Sequence, residues 1–338
     1  MYNDIYTNTQ AQESTHNTPP AELSPAPSAV NAAKLPADIF KRWTAYIDGA
    51  ERTKATYTAN IKRFAEWLQV NGITAPSRAD IIKYRDELQT THKPATVHGY
   101  LVAVKLFFQW TESEKLYPNI AARVKNTAVD VFHKKDPLTS RQAAKVLDSI
   151  DENSAAGLRD YAIIALMLTT ALRTRSIILA DIGDIRTLGD MTVLYYQGKG
   201  HNEKADFVKL SEPVLKAIQR YLQARGGAPA PNEPLFASAA HRNSGERMTT
   251  RSISRIVKNA LKAAGLNSDR LTAHSLRHTA ATLAMINGAT LQEVQQLLGH
   301  KNINITMVYL HTLERAQNSS ADRITTAIFG EARRASEP

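Results

Sequence analysis

Residues 274–309 read HSLRHTAATLAMINGATLQEVQQLLGHKNINITMVY, the pattern of two helices and the start of a third, divided at glycines. Gly288 closes a helix expected over 274–287. Thr290 and Glu293 form a capping box that opens a second helix over 291–298, and Gly299 ends it. His274 and Arg277 are three residues apart and share one helix face near an N-terminus, where free amides and the helix dipole favour anions. An arginine there offers planar donors suited to two phosphate oxygens at once. His300 directly follows the helix-ending glycine and is expected to point outward from the turn. Tyr309 follows nine residues later in a short helix; with 12 tyrosines in the chain, that spacing is what singles it out. His274 and His278 at i, i+4 have the spacing of a zinc pair. Against that reading, Ser275 stands where a metalloprotease has its glutamate, and the chain has no cysteine.

Upstream, residues 160–172 are apolar around the whole helical circumference, which predicts a buried central helix with Arg173 held rigidly at its end. An arginine at that position can also simply cap carbonyls. Arg175 adds a second charge, either for a polyanion or for pairing with Asp181 or Asp184. Strand-like VLYYQ (193–197) and DFVKL (206–210) flank GKGHNEKA, so Lys199 in GKG falls at the tip of an expected β-hairpin. A helix over 250–265 buries Ile253, Ile256, Val257, Ala260 and Leu261 and carries Arg251, Arg255, Lys258 and Lys262 on its other side. No acidic residue interrupts that basic stripe; a solvated face is the plain alternative.

The N-terminal part is helical throughout residues 36–125, with Ile61, Phe64, Trp67 and Leu68, then Val97, Leu101, Val104 and Phe108, at helical spacing. Lys62, Arg63 and Lys105 decorate these helices as candidate DNA contacts or surface charges. Residues 126–138 read as a linker, after which Thr139 and Gln142 cap the first helix of a second domain over 139–316. Residues 1–35, rich in Thr, Ser, Asn, Ala and Pro, read as a flexible tail. In the C-terminal tail, 317–338, Ile324, Ile328 and Phe329 suit either a docking helix or one packed on its own domain. The fold class is therefore mainly α (α+β): a helical domain, then a mixed domain with a small antiparallel sheet.

The chain has 338 residues, enough for two cores, and a formal charge of +10 that points to a polyanionic partner, nucleic acid first. The absence of cysteine excludes thiol nucleophiles, disulfides and thiolate zinc sites, and suits a reducing cytoplasm. No apolar run is long enough to span a membrane, and no secretion signal is visible.

Taken together, the order Arg173, Lys199, His274-x-x-Arg277, Gly299-His300, Tyr309 resembles the tyrosine recombinase/phage integrase family over residues 36–311. The resemblance implies that these six positions form an active site and that 36–125 is a core-binding domain. It implies a clamp around duplex DNA, a homo-tetramer on two specific core sites and possible accessory or excision factors. By the same resemblance Tyr309 attacks phosphorus to give a 3′-phosphotyrosyl ester, His274 takes its proton, and Lys199 protonates the departing 5′-hydroxyl. Neither ATP nor a metal cofactor is called for. Two departures stand out: the family's G-L-R-x-x-E-L reads A-L-R-T-R-S-I here, with Ala171 for Gly and Ser176 for Glu. Integration and excision of a mobile element is the expected role, with Xer-type dimer resolution as the alternative. A type IB topoisomerase and a non-catalytic DNA-binding protein of the same fold are the competing classes.

Overall fold

The computed structural model describes residues 38–128, 135–198, 200–201, 203–226, 230–316 and 318–334. The tail at 1–35, residues 129–134 of the linker, and Lys199 lie outside the described residues. The chain divides near residue 129 into two compact units, each with its own core.

The first unit holds helices α1 (Ile39–Tyr46), α2 (Glu51–Val70), α3 (Arg78–Thr91) and α4 (Pro94–Ser113). Proline at the first position of α4 costs no hydrogen bond, and Ser77 with Asp80 forms a capping box on α3. Val97, Leu101, Val104, Phe107 and Phe108 of α4 are buried against Trp43, Ile61, Phe64 and Tyr84. Aromatic edges meet in this core: Trp43 and Phe107 at 5.5 Å, Phe64 and Tyr84 at 4.9 Å. Each such ring, fully buried, contributes about 2–3 kcal/mol.

The second unit opens with α5 (Ser140–Asp148) behind the Thr139/Gln142 capping box, then α6 (Ala155–Thr170). Every residue of α6 from Ala162 to Met167 is buried, as its uniform hydrophobicity predicts. The helix differs from the expected 160–172 at both ends. Ser154 caps it early, and Ala171, left-handed at φ 54°, stops it before Leu172. After α7 (Thr174–Leu179) comes a three-stranded antiparallel sheet of β1 (Ile185–Leu188), β2 (Met191–Tyr196) and β3 (Asp206–Lys209), in the order β1-β2-β3. Leu194 stands opposite both Ile185 and Val208. Helices α8 (Glu212–Arg225) and α10 (Ala273–Ile286) pack on α6, while α9 (Thr250–Ala263) packs on α5, α6, α7 and α10.

Helix α11 (Leu291–Leu298) and helix α12 (Asn304–Ala316) follow α10. Ala171, Ala280, Ala281, Val294, Leu298 and Tyr309 form a small second core where these three helices meet the end of α6. The last helix, α13 (Ser320–Arg334), leaves Ile324, Ile328 and Phe329 exposed. Among the described residues, no helix is long and apolar enough to cross a membrane.

Candidate active site

Four elements of the second unit bring Arg173, Arg277, His300 and Tyr309 into one cluster. Arg173 lies two residues beyond the left-handed stop of α6, as the extended N-cap of α7, and is half-buried. Arg277 lies on α10 and is 4% exposed. It donates to the carbonyl of Ala171 at 2.5 Å and to that of Leu298, tying the end of α6 to the end of α11. Its guanidinium also lies 3.2 Å from His300 Nε2. Burial first, and Arg173 second, pull the Arg277 pKa down to about 10. Burial likewise lowers that of Arg173. Among the described residues no carboxylate pairs with either arginine, so the pair presents uncompensated positive charge.

His300 does not point outward as the turn suggested. The chain leaves α11 through Gly299, and the half-buried ring turns inward, its Nδ1 3.0 Å from Thr306 Oγ1 and its Nε2 toward Arg277. That hydroxyl, fully buried at the start of α12, and Arg277 together fix the ring plane.

Tyr309 is 4% exposed, and its hydroxyl lies 2.5 Å from His278 Nδ1. Burial pushes the phenol up to about 12, against the pull of Arg277 and then Arg173. His278 is itself buried, and His274, exposed one turn earlier on α10, meets it edge-on at 4.5 Å between ring centroids. The i, i+4 spacing of HSLRH thus places both histidines on one face. His278 contacts the Tyr309 hydroxyl, and the sequence marked it only by its zinc-pair spacing with His274. Tyr196 at the end of β2 joins the same electrostatic group: burial raises its pKa, Asp206 adds to that, and Arg173 and Arg277 oppose it. Nothing in its strand pattern distinguishes it from a packing tyrosine.

A cavity of about 170 Å³ opens beside the cluster, lined by Arg173, Tyr196, Gly198, His300, Lys301 and the acidic Asp206. A Cβ on Gly198 would meet Asp206 Oδ2 at 2.1 Å, so any larger residue there would require that carboxylate to swing aside. Gly200 has φ +82°, a left-handed turn that glycine adopts without strain. Ser176, buried, donates to the Gln197 carbonyl at 2.9 Å. Beyond the turn, Lys204 Nζ bridges Asp181 and Asp184 at 2.5 Å each, and Arg247 also pairs with Asp181. Those carboxylates are therefore engaged by Lys204 and Arg247, and Arg175 is exposed.

The other basic candidates lie on surfaces. Arg251, Arg255 and Lys262 of α9 are exposed, whereas Lys258 donates to the Ser268 carbonyl at 2.7 Å. Arg255 borders a cavity of about 600 Å³ with Arg159, Arg242 and the α9 cap Thr249. In the first unit, Lys62 lies over the Phe40 ring, Arg63 stacks on and bonds Tyr100, and Lys105 is half-buried.

Two guanidiniums, an inward imidazole and a phenol beside an open cavity can bind a tetrahedral oxyanion and attack it with oxygen. Residues 136–315 match the Phage integrase family, and residues 40–117 match the Phage integrase, N-terminal SAM-like domain. The chain belongs to the phage integrase family, the tyrosine recombinases, which cleave and rejoin DNA. Tyrosine recombinase XerC of Corynebacterium glutamicum is 28% identical over 299 residues, 87% of this chain and 92% of that protein. Among solved structures, XerH site-specific recombinase bound to palindromic difH substrate, a post-cleavage complex, aligns with TM-score 0.67 at 22% identity, covering 80% of each chain. A lambda integrase tetramer bound to a Holliday junction aligns with TM-score 0.62 at 19% identity, covering 80% of this chain and 76% of that one.

Proposed function

We propose that this site-specific recombinase cuts a DNA strand with Tyr309 while Arg173, Arg277, His274 and His300 hold the scissile phosphate. The observation that carries this reading is the placement of a buried Arg277, with no carboxylate paired to it among the described residues, against His300 and in the same charge cluster as the Tyr309 phenol. Phosphodiester cleavage passes through a transition state with more negative charge on the non-bridging oxygens than the ground state. Fixed guanidiniums at that position stabilise the transition state selectively. Lys199, between Gly198 and Gly200, supplies the proton for the departing 5′-oxygen. The product ester keeps the energy of the broken bond, so a 5′-hydroxyl from another strand reverses the reaction without ATP or metal.

Residues 36–125 and the exposed arginines of α9 supply phosphate contacts, so affinity falls steeply with salt. A tetramer on two DNA sites carries out the exchange, as the lambda integrase tetramer suggests. The exposed Ile324, Ile328 and Phe329 of α13 dock on a neighbouring protomer. Integration and excision of a mobile element is the biological role we favour. Xer-type dimer resolution is supported equally by the likeness to XerC and XerH.

The test places two direct copies of the DNA flanking the gene on one supercoiled plasmid. A recombinase releases a circle carrying one copy, and Tyr309→Phe releases none. Relaxation of the plasmid without a released circle would instead assign the protein to topoisomerase chemistry. Loss of the gene that leaves chromosomes as unresolved dimers would favour the Xer role over the mobile-element role.

A further inference from the structure

The Tyr309 hydroxyl must lose a proton to become a nucleophile, and its surroundings make that costly. With the phenol pushed up to about 12, only roughly one molecule in 10⁵ carries phenolate at pH 7. The two guanidiniums near it hold the charge down but have no lone pair to accept a proton. His278 does, and its Nδ1 is 2.5 Å from the hydroxyl, the short end of hydrogen-bond range. Both side chains are 4% exposed, so water does not dilute the contact. Helix geometry sets this pairing: α10 turns Arg277 toward Ala171 and Leu298, and the next residue toward α12.

We infer that His278, in place of His274, is the general base of strand cleavage; the inference rests on the function proposed above. As Tyr309 Oη bonds to phosphorus, its O–H bond breaks and the proton passes to His278 Nδ1. The bond from phosphorus to the 5′-oxygen breaks, and that oxygen receives its proton from Lys199. In rejoining, the incoming 5′-hydroxyl gives its proton to the neutral Lys199 amine as it bonds to phosphorus, the bond from phosphorus to Tyr309 breaks, and the His278 imidazolium returns the proton to the phenol. His274, exposed and edge-on at 4.5 Å, gives the buried imidazolium a neighbour in contact with water.

The experiment uses the full chain and a nicked duplex taken from a random-sequence pool by the wild type's own SDS-stable adduct. Single-turnover adduct formation is followed from pH 6 to pH 9.5 for the wild type, His278→Asn, His278→Ala and His274→Asn. An asparagine amide can still accept the Tyr309 bond but cannot take its proton, so His278→Asn should bind this duplex as the wild type does. It should cleave about 10²–10⁴-fold more slowly at pH 7. Its rate should climb about tenfold per pH unit to the end of the range, where the wild type levels off once its imidazole is neutral. Added imidazole should restore part of the rate to His278→Ala, in which the side chain leaves room for it. Equal rates and profiles for wild type and His278→Asn, or the rising profile in His274→Asn alone, would overturn the inference and leave the Tyr309 reading standing. A wild type that forms no adduct, or an adduct that persists in Tyr309→Phe, would overturn both.

Discussion

Ser176 donates its hydroxyl to the Gln197 carbonyl, 2.9 Å away, and so takes up a task at the position where relatives carry glutamate. The bond joins the segment that follows Arg173 to the strand end that leads into Lys199. On the far side of that turn, Lys204 is fixed between Asp181 and Asp184. The two ends of the turn are therefore held to the same stretch of chain, 176–184. Ser176→Ala removes one hydrogen bond worth about 1 kcal/mol, which corresponds to roughly a fivefold loss of cleavage rate. With sulfur in place of the bridging 5′-oxygen, the leaving group needs no proton, and the variant should match the wild type. A defect of the same size on both substrates would mean that Ser176 does not act through Lys199.

Ala171 stands where the family's motif has glycine, and the expected costs and gains of that exchange nearly cancel. Its left-handed conformation costs about 1–2 kcal/mol, but its methyl is fully buried and contributes about 0.8 kcal/mol. Glycine's extra freedom in the unfolded chain offsets most of the remainder, about 0.4–1 kcal/mol. Ala171→Gly should change stability by less than about 1 kcal/mol in either direction. Ala171→Val, β-branched in the same conformation and without space, should destabilise by more than about 2 kcal/mol in denaturant unfolding. It should also slow cleavage, because the Ala171 carbonyl anchors Arg277.

Arg277 and Arg173 lie in one cluster, with no carboxylate paired to either among the described residues, and on the proposed function they should bind an anion before DNA arrives. Inorganic phosphate should raise the melting temperature relative to chloride at equal ionic strength. At ten times its Kd the stabilisation is about 1.4 kcal/mol, a shift of roughly 3–6 °C for a unit of this size. Arg277→Ala should abolish the difference between the two salts. An undiminished shift in that variant would place the anion elsewhere.

Tyr84 gives the first unit a distinct pH signature. Its hydroxyl is buried without a hydrogen-bond partner among the described residues, and burial pushes its pKa up to about 12. The unfolded phenol ionises near 10, so between pH 10 and 12 the folded unit binds more protons than the unfolded one. Its stability is full below pH 10 and falls as pH rises through that window. Tyr84→Phe should gain about 1 kcal/mol at pH 7 and flatten the alkaline decline, both read by chemical unfolding at several pH values.

The helices nearest the chemistry were legible because their ends carry side-chain signals. The Thr290/Glu293 box and Gly299 delimit α11 as expected, and α10 is displaced by a single residue at each end. The end of α6 carries no sequence signal, because an alanine, lacking glycine's signature, takes the left-handed stop. Strand β1, four residues and largely exposed, has too little pattern to be read alone. Helix α8 is absent from the sequence expectations although it carries ordinary signals, a proline in its first turn and buried Val214, Ile218 and Tyr221. At the site, spacing picked out Arg277, His300 and Tyr309. It missed the His278–Tyr309 contact and the inward turn of His300, because each depends on how α10, α11 and α12 pack together.

The central claim is that Tyr309 is the group that becomes joined to DNA. The direct measurement is peptide mapping by mass spectrometry of the SDS-stable adduct formed on the captured nicked duplex, after nuclease and protease digestion. The nucleotide mass should sit on the peptide containing Tyr309, attached through a 3′-phosphate, and Tyr309→Phe should bind the duplex yet yield no adduct. A nucleotide carried by any other residue, or an adduct that persists in Tyr309→Phe, would contradict the account.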